Sequence, residues 1–107
     1  MTLPTMDEPS AEDVAALAGA VMLEFGTGWC GHCAAAQPLI AAALAQHPEV
    51  RHIKVEDGPG RRLGRAYRVK LWPTLVFLRD GQEAGRIVRP PEAAAIERAL
   101  AAICTAP

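Results

Sequence analysis

Cys30 and Cys33 stand three positions apart in the run Trp29-Cys30-Gly31-His32-Cys33, just after the apolar stretch Val21-Met22-Leu23-Glu24-Phe25 and just before an alanine-rich run. Residues three apart at a helix start share one face, so the two sulfurs lie within reach of a disulfide. A helix N-terminus also offers unpaired N–H groups and the positive end of its dipole, and both stabilise a thiolate on the first cysteine. The thiolate is the species that attacks disulfides, so the pattern predicts thiol–disulfide exchange. The other chemistry a CxxC serves is metal binding. Here a metal would need Cys30, Cys33, a histidine and a fourth ligand, and no fourth ligand stands at a recognisable spacing, so neither a metal nor a cofactor is expected.

The elements that must position the pair can be read along the chain. Ser10 with Asp13 three later forms a capping box, opening a helix through about Ala18. Val21 to Phe25 reads as a buried strand, and Gly26-Thr27-Gly28 turns the chain into a helix from about Gly31 to Gln46, kinked at Pro38. Val50 to Val55 is a second strand. Gly58-Pro59-Gly60 is a turn, and a short helix carrying Arg61, Arg62 and Arg65 runs to about Tyr67. Thr74 to Leu78 is a third strand, and Asp80-Gly81 is a hairpin signal into a strand around Ala84 to Val88. Glu92 to Ile103 closes the chain as a helix. This order predicts an α/β fold with a central mixed sheet of four to five strands and helices on both faces, in one domain spanning residues 1–107. Met1 to Met6 contains Pro4 and carries only a weak strand signal.

Composition narrows the class. The chain has 107 residues, half of them apolar, about a fifth charged, with a formal net charge of −1, which describes a soluble globular protein and implies no polyanion as partner. Met1 to Ser10 holds two acids and two prolines and no cationic or long apolar run, so a signal peptide and a membrane span are not expected and the reading is cytoplasmic. A monomer is the default expectation. Three cysteines are too few for a stapled scaffold, which makes the CxxC pair reactive rather than structural. Cys104 falls at apolar-stripe spacing from Ile96 and Leu100 and reads as a small core or helix-end residue. The basic run Arg61 to Lys70 reads as a solvated helix face, since no aromatic stacking platform accompanies it. His47 and His52 flank a turn and read as surface or helix-end residues.

These residues together resemble the thioredoxin superfamily. Trp29-Cys30-Gly31-His32-Cys33 is similar to its active-site sequence, with the Gly-His of disulfide isomerase domains in place of the Gly-Pro of ordinary thioredoxins. Pro38 matches the proline within the helix, and Pro73-Thr74-Leu75 with Phe77 and Asp80-Gly81 resembles the cis-proline loop, strand and hairpin. The resemblance implies a protein-disulfide reductase in which Cys30 forms the mixed disulfide and Cys33 resolves it. It also implies protein disulfide substrates, a flavin-dependent thioredoxin reductase as electron donor and a role in cell redox homeostasis. His32 would add a cation or donor beside the Cys30 thiolate and make the site less reducing, or else be a solvated helix-start residue. Glu24 would be the buried proton acceptor for Cys33 and Lys54 its charge partner, with burial raising the Glu24 pKa and Lys54 pulling it back.

The groove implied by the resemblance involves Trp29, Gly31, Trp72, Pro73 and Arg89, with a cis Trp72–Pro73 bond turning the Trp72 backbone toward the cysteines. Trp72 either widens the apolar surface or packs on Trp29. Gly26 stands where thioredoxins have Trp, Ala34 where Lys is common, and Arg89-Pro90 where a glycine normally leaves room for substrate backbone. These departures all border the groove. They keep open a polypeptide-binding or folding-helper module with incidental redox activity, beside the reductase and a disulfide isomerase or oxidase.

Overall fold

A strand that ends in a glycine turn leading straight into a helix places the helix start at the carboxyl edge of a sheet, and the rest of the fold holds that junction. In the structure, a computed structural model that describes residues 9–104, the elements run α1 Ala11–Ala15, β1 Ala20–Gly26, α2 Gly31–Ala45, β2 Arg51–Glu56, α3 Arg62–Ala66, β3 Thr74–Arg79, β4 Gln82–Val88 and α4 Ala93–Cys104. The weak strand signal at Met1 to Met6 lies outside the described residues. None of the described helices is long and apolar enough to cross a membrane.

The sheet is mixed, with strand order β2-β1-β3-β4. β1 runs parallel to β2 and antiparallel to β3, which pairs antiparallel with β4. Side chains alternate across the central strands. Met22, Leu75 and Phe77 face α2 and α4, where Ala36, Ile40, Ala43, Ile96, Leu100 and Ile103 complete one core cluster. Val21, Leu23, Phe25, Val76 and Leu78 face the other way, against Val14 of α1 and Leu63 of α3. Helices therefore cover both faces. Phe25, Phe77, Met22 and Leu23 are essentially inaccessible, and burial of each such side chain contributes about 1.5–3 kcal/mol.

The ends of the elements follow local chemistry. Ser10 Oγ accepts from Asp13 N at 3.0 Å and Asp13 Oδ2 accepts from Ser10 N at 3.4 Å, the reciprocal box that starts α1. The helix stops at Ala15 rather than Ala18, because Val14 is its fully buried anchor and the chain must turn through Gly19, with φ +82°, into β1. Pro38 sits inside α2 and removes one helical hydrogen bond.

Asp80 and Gly81 both have positive φ, 52° and 83°, as a two-residue mirror-image turn requires. The same turn is docked onto the α1–β1 connection. Asp80 Oδ1 accepts from Gly19 N at 2.7 Å, and Asp80 N donates to Gly19 O at 2.9 Å. A Cβ at Gly81 would collide with the Ala15 carbonyl, whereas one at Gly19 would meet nothing. Gly19→Ala should therefore cost only the left-handed backbone penalty of about 1–2 kcal/mol. Gly81→Ala should cost about 1–3 kcal/mol more, because backbone must also move. Denaturant midpoints of the two variants check this, and equal losses would remove the Ala15 contact as the cause.

Candidate functional site

Cys30 is the N-cap of α2, and its Sγ accepts from the Cys33 backbone N–H at 3.3 Å. The cysteine thus caps the helix with sulfur where other proteins use oxygen. A hydrogen bond from the Cys33 thiol pulls the Cys30 pKa below that of an ordinary cysteine; backbone N–H groups of Cys33 and His32 and the Arg89 charge pull the same way, against partial burial. Cys33 moves oppositely. Burial at the helix–sheet junction pushes its thiol up to about 11, and the Cys30 sulfur and Glu24 charge add to the rise, against the Thr27 backbone. Gly26 makes room for this sulfur, since a Cβ there would lie 2.7 Å from Cys33 Sγ.

The contribution of His32 differs from the expectation of a side-chain cation. What reaches Cys30 from residue 32 is the backbone N–H, while the residue itself lies exposed on the first turn. Gly31 is likewise exposed beside it.

Glu24 is 4% exposed, on the face of β1 that α2 covers. Its cross-strand neighbour on β2 is Lys54, as register requires, yet the Lys54 ammonium bonds Gln37 Oε1 at 3.3 Å. The direct partner of Glu24 is His52, with Nε2 to Oε1 at 2.7 Å. An ionised carboxylate can only accept, so the hydrogen in that bond belongs to His52. Gln37 Nε2 donates to Glu24 Oε2 at 2.8 Å and to the Cys33 carbonyl at 3.0 Å, joining the acid to the buried cysteine. Burial raises the Glu24 pKa, but the bonds from His52 and Gln37 with the Lys54 charge outweigh it, and the carboxyl is held below its usual range. Lys54 adds its charge from a distance and orients Gln37; one expectation is corrected, since His52 belongs to the site rather than the surface.

Sequence reasoning missed His52 and Gln37. The available signal was register: His52 lies two residues before Lys54 and shares its face, and Gln37 lies four after Cys33 on one helix stripe. A cleft of about 730 Å³ opens beside this network, lined among others by Glu24, Thr27, Cys33, Gln37 and Lys54, and gives water a way to it.

The other side of Cys30 is aromatic. Trp29 is 77% exposed and meets Trp72 edge-on, with ring centroids 5.5 Å apart. Asp57 Oδ2 accepts from Trp72 Nε1 at 2.9 Å and fixes the second ring. The two roles considered for Trp72 therefore coincide, since it packs on Trp29 while extending the apolar surface. The Trp72–Pro73 peptide is cis. Cys30 Sγ lies 4.0 Å from the Trp72 carbonyl oxygen, which also accepts from Arg89 Nε at 2.8 Å. Arg89 adopts φ 52° where a glycine would be relaxed, and its backbone N–H donates to Pro73 O at 2.9 Å. The basic run is solvated as expected, with Arg62, Arg65, Arg68 and Lys70 exposed.

Comparison with known proteins fits this geometry. Thioredoxin 2 from Pseudomonas aeruginosa PAO1, solved in its reduced form, matches with a TM-score of 0.80 and 57% identity over 90% of this chain and 89% of that one. A thioredoxin of Chlamydia trachomatis serovar D is 36% identical over 70 residues, 65% of this chain and 69% of that protein. Thioredoxin H2-1 of Oryza sativa subsp. japonica is 34% identical over 68 residues, 64% of this chain, and the match spans about half of the rice protein, 49%. The thioredoxin family model covers residues 2–102, nearly everything from the first residues to the end of the last helix, and the chain belongs to the thioredoxin family.

Proposed function

We propose that this protein is a cytoplasmic protein-disulfide reductase working through Cys30 and Cys33. The observation that carries the reading is the unequal placement of two neighbouring cysteines, Cys30 at the N-cap of α2 with its sulfur accepting the Cys33 N–H at 3.3 Å and Cys33 buried one turn inward. That asymmetry supports the following order of events. The Cys30 thiolate attacks one sulfur of a substrate disulfide, forming a mixed disulfide and releasing the other substrate sulfur as a thiolate that takes a proton from water. Cys33 then gives up its proton and attacks Cys30 Sγ. The mixed disulfide breaks, the second substrate sulfur leaves, and two electrons have passed from the dithiol to the substrate. A flavin-dependent thioredoxin reductase returns them, and the chain works as a monomer.

Glu24 assists the second step. The carboxylate, kept ionised by His52 and Gln37, is free to accept, and Gln37 links it to the Cys33 backbone. Held below its usual range it is a weak base, so it serves as a transient station passing the Cys33 proton to water in the cleft. Lys54 keeps Gln37 oriented for this. Substrate polypeptide docks on the Trp29–Trp72 surface, against Gly31 and Pro73. Arg89 occupies the Trp72 carbonyl and must swing aside for a substrate N–H to use it.

Three sets of experiments test the reading. Cys30→Ser should abolish reduction of a polypeptide disulfide, by at least about a thousandfold. In the wild type, alkylation of Cys30 should titrate below the ~8.5 of a free cysteine, with Cys33 silent until near pH 11. Equal reactivity of the two thiols would sink the assignment. Second, Glu24→Gln should slow resolution of a trapped mixed disulfide about ten- to a hundredfold, measured by stopped-flow. Because the folded Glu24 pKa lies below its unfolded value, its contribution to stability is present above about pH 4.3 and is lost as pH falls through the folded value. Urea midpoints of Glu24→Gln should accordingly fall less steeply with acid than the wild type; parallel curves would deny the ionised state. Third, a stabilised thiolate makes a disulfide more oxidising, so the Arg89 charge should raise the reduction potential of the Cys30–Cys33 pair. Arg89→Ala should move it to a more negative value, and an unchanged or more positive value would remove Arg89 from the electrostatics of the site.

A further inference from the structure

A second group of chemically active side chains lies at the opposite end of α2 from Cys30, about 22 Å along the helix. His47 and Glu49 belong to the turn between α2 and β2, and Cys104 is the last residue of α4. Their ligand atoms all lie within 4.8 Å of one another, and Cys104 Sγ is 3.8 Å from His47 Nδ1. The turn and the helix end are held together by the core beneath them, where Val50 and Ile103 are buried in the same cluster and Cys104 packs against it. The ligand atoms are thus brought together by packing that exists for other reasons.

A sulfur and a nitrogen on one tetrahedral zinc ion stand about 3.5 Å apart, given metal–ligand distances of about 2.3 and 2.0 Å. The observed 3.8 Å requires only a small side-chain rotation. Exposed Glu49 has the freedom to close the remaining gap. We propose that His47 Nδ1, the Glu49 carboxylate and Cys104 Sγ bind one zinc ion, with water in the fourth position. Thiolate with imidazole selects zinc over magnesium or calcium, which take oxygen ligands. Binding replaces the proton of the Cys104 thiol by the metal, so one proton is released per ion and no oxidant or reductant takes part.

The alternative use of such residues, a Cys–His nucleophile, is disfavoured by the surroundings. Burial, then Glu49, push the Cys104 thiol up to about 11, against a smaller pull from Arg79. Without a metal the sulfur therefore stays protonated and unreactive at neutral pH. Arg79 is the cation facing the group, and its guanidinium is engaged by the Ile103 carbonyl at 3.1 Å. A bound ion would clamp the α2–β2 turn to the end of α4.

The test uses the full chain, reduced and stripped of metal, carrying Cys30→Ser and Cys33→Ser so that the dithiol cannot compete. Zinc is titrated against a chromogenic chelator, and cobalt(II) serves as the spectroscopic probe. One ion should bind per chain with release of one proton, and cobalt should show a thiolate charge-transfer band. Cys104→Ser should abolish that band, and His47→Ala should weaken zinc binding by more than the roughly ten- to a hundredfold lost with a mere supporting partner. Glu49→Gln, at an exposed position that leaves folding intact, should also weaken it. Absence of stoichiometric binding, or binding unchanged in the three variants, would overturn the site.

Discussion

The bond from the Cys33 backbone N–H to Cys30 Sγ, at 3.3 Å, is the contact on which the rest of the molecule converges. It exists because β1 delivers the chain to the carboxyl edge of the sheet just where α2 begins, so a helix N-terminus with unpaired donors meets a cysteine. The two packed faces of the sheet keep that junction fixed. Met22 and Phe77 anchor α2 and α4 on one side, and Leu23 and Phe25 hold α1 and α3 on the other. Without both layers, the helix start would fray and the sulfur would lose its donors.

Desolvation acts on the two sulfurs unequally. Cys30 sits at the rim, where the Cys33 thiol, aided by backbone N–H groups and the Arg89 charge, outweighs the loss of water; Cys33 sits one turn inward, where the loss of water dominates. The same contrast governs Glu24, whose burial would neutralise it were it not for two hydrogen bonds and a nearby ammonium. A buried carboxylate is tolerable only when its lone pairs are satisfied, and His52 with Gln37 satisfies them. The cost of placing an acid beside Cys33 is met by a strand and a helix together.

Arg89 shows how a family pattern can be kept while its surface is changed. A residue with a positive φ and a long side chain occupies the loop facing Cys30, and its guanidinium takes the Trp72 carbonyl. The result is a charged lid on the groove edge, opposite the apolar Trp29–Trp72 pair held by Asp57. The surface around Cys30 thereby has an apolar side and a cationic side.

Much of this was legible in the chain. The order of elements, the capping box at Ser10, the Asp80-Gly81 turn and the alternation that makes Met22 and Leu23 face opposite ways are local rules of period and turn chemistry, and such rules act within a few residues. The pairing of Cys30 with Cys33 follows from one helical turn. Tertiary structure alone decided the rest, because each of those contacts joins residues distant in sequence. Glu24 took as its hydrogen-bond partner His52, which the register sets opposite Met22, while Lys54, set opposite Glu24, bonds Gln37 of α2 instead. The His32 imidazole was left in solvent because the helix direction points its backbone, not its ring, at Cys30. His47, Glu49 and Cys104 met because α4 packs back along α2, which no spacing between positions 47 and 104 could have announced.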